Sequence, residues 1–489
     1  MSAPKQKTAS LTVNYFWRLL YEVLIFLIPV FTTPYIARVL GSDGVGTYSY
    51  TYSTITYFML IGALGTKSYG AREISRNRDN PQKVSQTFWE IELLTVFTTG
   101  MCLVVWFGFI AFSSEYRIYY LALLPFLLGT MFDISWFFTG LEKINVVVAA
   151  NSIVRLAGAV LIFTLVKTKD DLILYFLIHS LSNCIGSLLM WASVRKFLVK
   201  VDYHEFRFRT HFKETLIYFI PTIATSIYTV LDKTLIGLIT KDLDQNGYYE
   251  EATKIISIIK SLVFVAVNAV MGVRISYLFA EERYEEIKQR IRNSISFIYL
   301  LAYGAMFGIM GVARRFIPFF LGKGFEPVTY YLYLMAPLVL IIGTSNCLGN
   351  QYYTPSGQRK RSAKIIIIGA ITNLCLNLIL IPFFNTYGAI IASIIAEILI
   401  TVLYVKKSNG YCQWSYLWKC SWKRLIAGGL MLAVLVFIDH ALNLKNWIIV
   451  LIQVAGGVLV YFSILLLMKD SMVFQLLGKA KAILLKKKG

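Results

Sequence analysis

Charged side chains are scarce in this chain. They make up 15% of 489 residues, against 57% hydrophobic residues and a mean hydropathy of +0.62. Soluble domains carry roughly 25% charged residues, so a water-soluble fold is not expected. Acid is the scarcer sign: 27 Asp and Glu against 48 Lys and Arg, a formal net charge of +21. In so apolar a chain, that excess belongs to loops that face anionic membrane lipids rather than to nucleic acid. The four histidines (His179, His204, His211, His440) are scattered and form no catalytic constellation. Cys412 and Cys420 share one polar loop, but no further ligand stands near enough for a zinc site. No cofactor, metal or disulfide is expected.

What is there is a succession of apolar stretches. They fall at 14–36, 44–65, 88–112, 118–140, 146–166, 172–194, 215–239, 251–276, 294–313, 329–349, 364–383, 387–405, 425–442 and 447–468. Each is long enough to cross a bilayer as a helix of about 20 residues. The eighth is the least apolar, with Glu250, Glu251, Lys254 and Lys260 near its start. The first carries Arg18 and Glu22 and is followed by no small-residue cleavage site, so it is expected to remain as a span.

Loop charge tests the assignment. With the N-terminus inside, 34 of the 48 Lys and Arg fall in inward loops and tails and nine in outward loops. This is the positive-inside pattern of an even number of spans with both termini cytoplasmic. A missed span would swap every loop after it. The expected fold is therefore an all-α polytopic membrane protein of fourteen transmembrane helices. Its parts are an N-terminal lobe (1–200, spans 1–6), a C-terminal lobe (201–410, spans 7–12), and a two-helix appendage with a basic tail (411–489). Ile28-Pro29-Val30 ahead of Gly44-Val-Gly46-Thr-Tyr48, and Ile220-Pro221-Thr222 ahead of Asn246-Gly247-Tyr248-Tyr249, are a faint repeat between the lobes. Duplicated lobes are a recurrent transporter plan. The outward loops are all short, which weighs against an enzyme on the external face.

Ionisable groups inside a bilayer cost about 2.5–3.5 kcal/mol each on insertion scales and usually face a cavity or a partner. Here they are Arg18, Glu22, Glu90, Glu92, Asp133, Arg155, Asp232, Lys233, Lys254, Lys260 and Glu397. In span 7, Thr222, Ser226, Thr229 and Lys233 are spaced to share one helical face, bordered by Asp232. That reads as a cavity wall, with helix packing as the alternative. Span 2 is rich in hydroxyls from Thr47 to Tyr57; part of it is expected to face water or sugar, with Tyr48 and Tyr50 in an interfacial aromatic belt. Arg155 has no acid within a helical turn, so its partner is another helix or an anionic ligand. Asp133, Asp232 and Glu397 are candidates for binding a coupling ion, Na⁺ or H⁺. Asp242-Leu-Asp244 has the form of a sugar-nucleotide metal site but sits in a short outward loop, and Gly304-x-x-x-Gly308 fits a close helix contact.

Four segments resemble those of Wzx-type flippases, in the polysaccharide-transport branch of the MOP superfamily. They are Thr33-Pro34-Tyr-Ile-Ala-Arg38-Val-Leu-Gly41 with Gly44-x-Gly46-x-Tyr48, Asp133-Ile-Ser-Trp136-Phe-Phe-Thr-Gly140-Leu-Glu142-Lys143, Leu231-Asp232-Lys233-Thr234-Leu-Ile-Gly237, and Gly247-Tyr-Tyr-Glu-Glu-Ala-Thr-Lys254. The likeness runs from about residue 12 to 405. It implies a MOP/MATE-like fold, two six-helix lobes around a central cavity that alternates in access. The implied cargo is a polyprenyl-pyrophosphate-linked oligosaccharide, moved from the inner to the outer leaflet of the bacterial cytoplasmic membrane, with polysaccharide polymerase machinery as a partner. Arg18, Arg155, Lys233 and Lys254 would supply a cationic cavity and Thr222, Ser226 and Thr229 its hydroxyls. Two alternatives stay open: a MATE-like ion-coupled exporter of small molecules, and a membrane-embedded polysaccharide polymerase or ligase.

Overall fold

The computed structural model describes residues 11–202 and 206–486. The side chains of Arg18, Glu22, Thr222, Ser226 and Thr229 lie outside the described set, as does His204. Two compact units divide the chain, Met1–Gly237 and Leu238–Gly489.

In the first unit, α1 (Leu11–Ala63) carries Pro29 and Pro34 and breaks at Gly41, whose φ of 73° and ψ of 179° are not helical. The break makes two spans of one stretch, and glycine is the residue that tolerates it without strain. The short α2 (Thr66–Asn77) follows, entered through Gly65 at φ 75°. A Cβ on Gly65 would stand 2.8 Å from the backbone nitrogen of Phe219, so close helix approach also requires glycine there. Pro81 opens α3 (Pro81–Phe112), capped by the Asn80 side chain accepting from the Lys83 amide. Then come α4 (Arg117–Met131), α5 (Ser135–Gly140), α6 (Ile144–Leu165) and α7 (Leu172–Val194). The long α8 (Phe208–Thr240) carries the chain across the boundary between the units.

In the second unit are α9 (Leu243–Lys260), a π-helical turn (Ser261–Val265), α10 (Ala266–Ala280) and α11 (Tyr284–Phe320). The bent pair α12 (Glu326–Met335) and α13 (Leu338–Leu348) follows, then α14 (Arg359–Phe384), α15 (Thr386–Lys406), α16 (Trp414–Ala441), α17 (Asn446–Leu467) and α18 (Ser471–Lys486). Helix covers every one of the fourteen expected positions. Among the described residues nine helices are long and apolar enough to cross a membrane, and the bent pair makes a tenth. The eighth position is covered by α9 and α10; α9 carries Asp244, Glu250, Glu251, Lys254 and Lys260.

Large apolar side chains stand outward along these helices, among them Phe97, Val104, Val160, Phe437 and Leu459, each more than half exposed. A contiguous apolar exterior of this kind is what lipid solvates. Polar contacts lie inside. Thr98 donates to the Gly62 carbonyl at 2.6 Å and Ser180 to the Ala122 carbonyl at 2.7 Å, holding α3 on α1 and α7 on α4. The aromatic run Trp136-Phe137-Phe138 is fully buried against Phe88, with Trp136 stacked on Phe88 at 5.7 Å. That run is core, tucked against Gly70.

In the second unit α16 and α17 lie along α11 and are fastened to it at three levels. Arg424, 1% exposed, donates to the Ser296 carbonyl at 2.7 Å and to both oxygens of Asp470 at 3.2 Å. Asp470 in turn caps α18 by accepting from the Met472 and Val473 amides. Midway, Gln453 donates to the Gly311 and Leu435 carbonyls and Tyr461 to Leu300. At the other end Arg314 and Arg315 both pair with buried Asp439. Gly304 meets the Tyr461 ring, so the expected close contact is made.

Candidate functional site

The best-formed site in the first unit is a cavity of about 370 Å³ bounded by both parts of α1 and by α4, α6 and α7. It exists because α6 and α7 touch through small residues. Gly158 faces Ser182, whose Oγ would stand 2.8 Å from an added Cβ, and Gly186 faces Asn151. Along that contact the helices present polar side chains at helical spacing: Asn151 and Arg155 from α6, His179, Ser182 and Asn183 from α7. Pro29 and Thr32 of α1 add an edge, Thr32 satisfying itself on the Ile28 carbonyl at 3.0 Å.

One wall is aromatic. Tyr48 stacks on Tyr52 at 5.5 Å and meets Tyr175, Phe176 and His179 edge-on or tilted at 4.9, 5.0 and 5.4 Å. Tyr52 packs against Phe126 at 5.1 Å. The cavity thus offers a guanidinium, an imidazole, two amides, hydroxyls and flat rings. No carboxylate lines it among the described residues. Such a lining can hold an anion by charge-assisted hydrogen bonds and a sugar ring by stacking and amide contacts.

Among the described residues, Arg155 is the expected site residue that lines this cavity. Asp133 lies in the non-helical break between α4 and α5, where it accepts from the Ser135 amide at 3.0 Å and pairs with Lys67 at 2.7 Å. Asp232 is buried and Lys233 half-buried on α8; the adjacent Thr234 bonds Ser53 at 2.8 Å and Tyr57 at 3.0 Å. In the second unit Lys254 pairs with Glu251 at 2.9 Å and Glu250 at 3.5 Å. Glu397 is buried on α15 with Lys260 of α9 within electrostatic reach.

The hydroxyls of span 2 do mostly local work. Thr47, Thr51, Thr54 and Thr56 each donate to the carbonyl four residues earlier. Tyr48 and Tyr52 are on the cavity, whereas Tyr50 packs with Tyr116. Asp242 of the Asp-x-Asp motif caps α9 by accepting from the Asp244 amide at 3.0 Å. Sequence reasoning missed Asn151, His179 and Asn183. The available signal was the i, i+4 spacing of Asn151 with Arg155 and of His179 with Asn183, two polar pairs in otherwise apolar helices.

Comparisons with known proteins agree with this architecture. The chain is 24% identical over 388 residues to a protein of Escherichia coli (strain K12) named as an O-antigen transporter, covering 77% of this chain and 92% of that one. It is 26% identical over 252 residues to a protein of Haloferax volcanii named as a low-salt glycan biosynthesis flippase, about half of each chain. Among solved structures it is similar to the lipid II flippase MurJ in an inward closed conformation, with a TM-score of 0.71 and 17% identity over 93% of this chain and all of that one. An inward-facing multidrug MATE transporter of the MOP superfamily follows, at a TM-score of 0.59 and 11% identity over 85% of this chain and 95% of that one. Residues 11–272, more than half of the chain, match the family described as polysaccharide biosynthesis protein. The chain belongs to that family and has the MOP-superfamily fold that its motifs led us to expect.

Proposed function

We propose that this protein is a flippase that carries a polyprenyl-pyrophosphate-linked oligosaccharide from the inner to the outer leaflet of the bacterial cytoplasmic membrane, both its termini being cytoplasmic. The observation that carries the reading is the cavity at Arg155, which no carboxylate lines among the described residues. A pyrophosphate needs cationic donors in a site of reduced dielectric, and its glycan needs amides, hydroxyls and rings; this lining supplies all of them. The names of the relatives support the same cargo class. A MATE-like exporter of cationic small molecules would call for a carboxylate in that cavity. The reading is transport, with no chemistry performed on the glycan. It works by alternating access, and Arg18 and Lys233 remain candidates for further cationic contacts along the route. Lys254 is a weaker candidate, because Glu250 and Glu251 neutralise it locally. Thr222, Ser226 and Thr229 keep their place as a hydroxyl face by spacing alone.

The test is complementation of a strain that lacks its flippase. Arg155→Ala should abolish surface glycan while the protein accumulates normally and keeps its melting temperature. Arg155→Lys should retain part of the function, since the charge survives and the bidentate fork does not. Normal glycan export by Arg155→Ala would overturn the assignment of this cavity.

A further inference from the structure

Glu92 of α3 is 1% exposed, and neither of its carboxylate oxygens has a hydrogen-bond donor among the described residues. Native proteins rarely leave a buried carboxylate so. Its neighbours do not explain it as a structural ion pair. Asp133 is the charged group within electrostatic reach, and it has the same sign. Helices α1, α2 and α4 pack against α3, and α5, α7 and α8 reach it at Phe88 and Glu90; α5 carries no charged residue, His179 of α7 lines the cavity, and α8 sends His211 to Glu90. The part of α1 after Gly44 carries no charged residue, α2 sends Lys67 to Asp133 rather than to Glu92, and Asp133 follows α4. Two residues away, Glu90 is fully engaged, accepting from the Arg207 amide and pairing with His211 at 2.8 Å. Adjacent acids on one helix therefore have opposite fates: Glu90 is answered, Glu92 is not.

We propose that Glu92 is a proton-binding site, with the Asp133–Lys67 pair as its door to the inward side. A carboxyl buried without donors or a counter-charge carries a proton far more cheaply than a bare charge. Exposure rises stepwise along the route, from Glu92 to the Asp133 side chain at 15% and Lys67 at 64%. Asp133 sits where the backbone leaves its helix between α4 and α5, the kind of broken segment that lines ion sites in transporters. When the Lys67–Asp133 pair parts, water reaches Glu92, the O–H bond breaks, and the proton leaves to that water with the carboxylate left behind. Reprotonation by water admitted from the outward side, with the Lys67–Asp133 pair re-formed, resets it. The site is distinct from the Arg155 cavity, and its use in driving transport rests on the flippase reading above.

Two measurements on the full-length protein test it. The first is labelling with dicyclohexylcarbodiimide, an apolar reagent that attacks protonated carboxyls, followed by peptide mapping. Glu92 should be labelled, labelling should fall as pH rises, and Glu92→Gln should remove the modified peptide. Absence of label at Glu92, or labelling independent of pH, would overturn the site. No substrate is involved, so this result stands apart from the fate of the flippase reading. The second is flipping in proteoliposomes with voltage clamped and an imposed acid-outside gradient. If one proton is exchanged per turnover, about one pH unit shifts the transbilayer ratio about tenfold. Glu92→Gln, which imitates the protonated acid, should fold, flip downhill and lose that shift, whereas Glu92→Asp should keep part of it. A wild-type response in Glu92→Gln would exclude the coupling role.

Discussion

The α6–α7 cavity of the first unit and the α11–α16–α17 bundle of the second surround their charges in different ways. In the bundle Arg424 is answered by Asp470 and Ser296, and Arg314 and Arg315 by Asp439. At the cavity, Arg155 opens on a lining of amides, hydroxyls and rings that holds no carboxylate among the described residues. Closed networks of the first kind fix helices. A guanidinium that borders a cavity lined by neutral polar groups can add contacts to an anionic ligand. The number of charges in a membrane helix therefore says less than which groups surround each one.

The sharpest way to break this contrast is to cut the bundle's network. Arg424→Ala leaves Asp470 buried without its cation and unties α18, and removal of one partner of a buried pair costs about 3–5 kcal/mol. The expected result is a large fall in melting temperature, read by fluorescence-detected size exclusion across a heating series. Arg155→Ala should leave that temperature unchanged while it abolishes function. Equal losses of stability from the two changes would show that the cavity is as closed as the bundle.

A second test compares adjacent glycines on α16. A Cβ on Gly428 would stand 2.1 Å from the Phe307 ring, whereas one on Gly429 meets nothing within 4 Å. Alanine gains roughly 1 kcal/mol of helix propensity at either position. At Gly428 overpacking costs about 1–3 kcal/mol, so the net effect is loss. Gly428→Ala should lower the melting temperature and Gly429→Ala should raise it slightly. The same sign at both would mean that the α11–α16 contact has slack.

The parts of this architecture that depend on one segment at a time were legible in the chain. Apolar length placed the spans, and Gly304-x-x-x-Gly308 announced a close contact that Tyr461 fills. What could not be read is pairing across distance. Arg424 counts as an inward loop cation by position, yet it is buried on partners 128 and 46 residues away. Asp133 meets Lys67, and Glu397 has Lys260 of another helix in reach. Span 2 divides: Tyr48 and Tyr52 reach the cavity, while its threonines are satisfied on their own helix carbonyls. The cavity's amides and His179 were visible as residues, but their convergence required two helices to be set against each other.

The smallest expected effect concerns the turn that joins the cavity's own two helices. One oxygen of Asp171 accepts from the Lys167 amide at 2.9 Å, the Thr168 amide at 2.8 Å and the Thr168 hydroxyl at 3.0 Å. Those donors favour the ionised form and hold the carboxyl below its ordinary value. A depressed carboxylate stabilises the fold above its unfolded value of about 3.9, and that contribution is lost as pH falls through the lower folded value. The turn should therefore stay closed at neutral and mildly acid pH. Its exposure keeps the contribution small and local. Asp171→Asn should speed hydrogen exchange in the peptide 167–172 at neutral pH, with the variant and the parent converging as pH falls through the parent's lowered folded value and its carboxyl becomes neutral. Glycan export should be unaffected, because the α6–α7 contact rests on Gly158 and Gly186 rather than on this turn. A marked loss of export from Asp171→Asn would show that the loop, and not the small-residue contact, sets the spacing of the cavity walls.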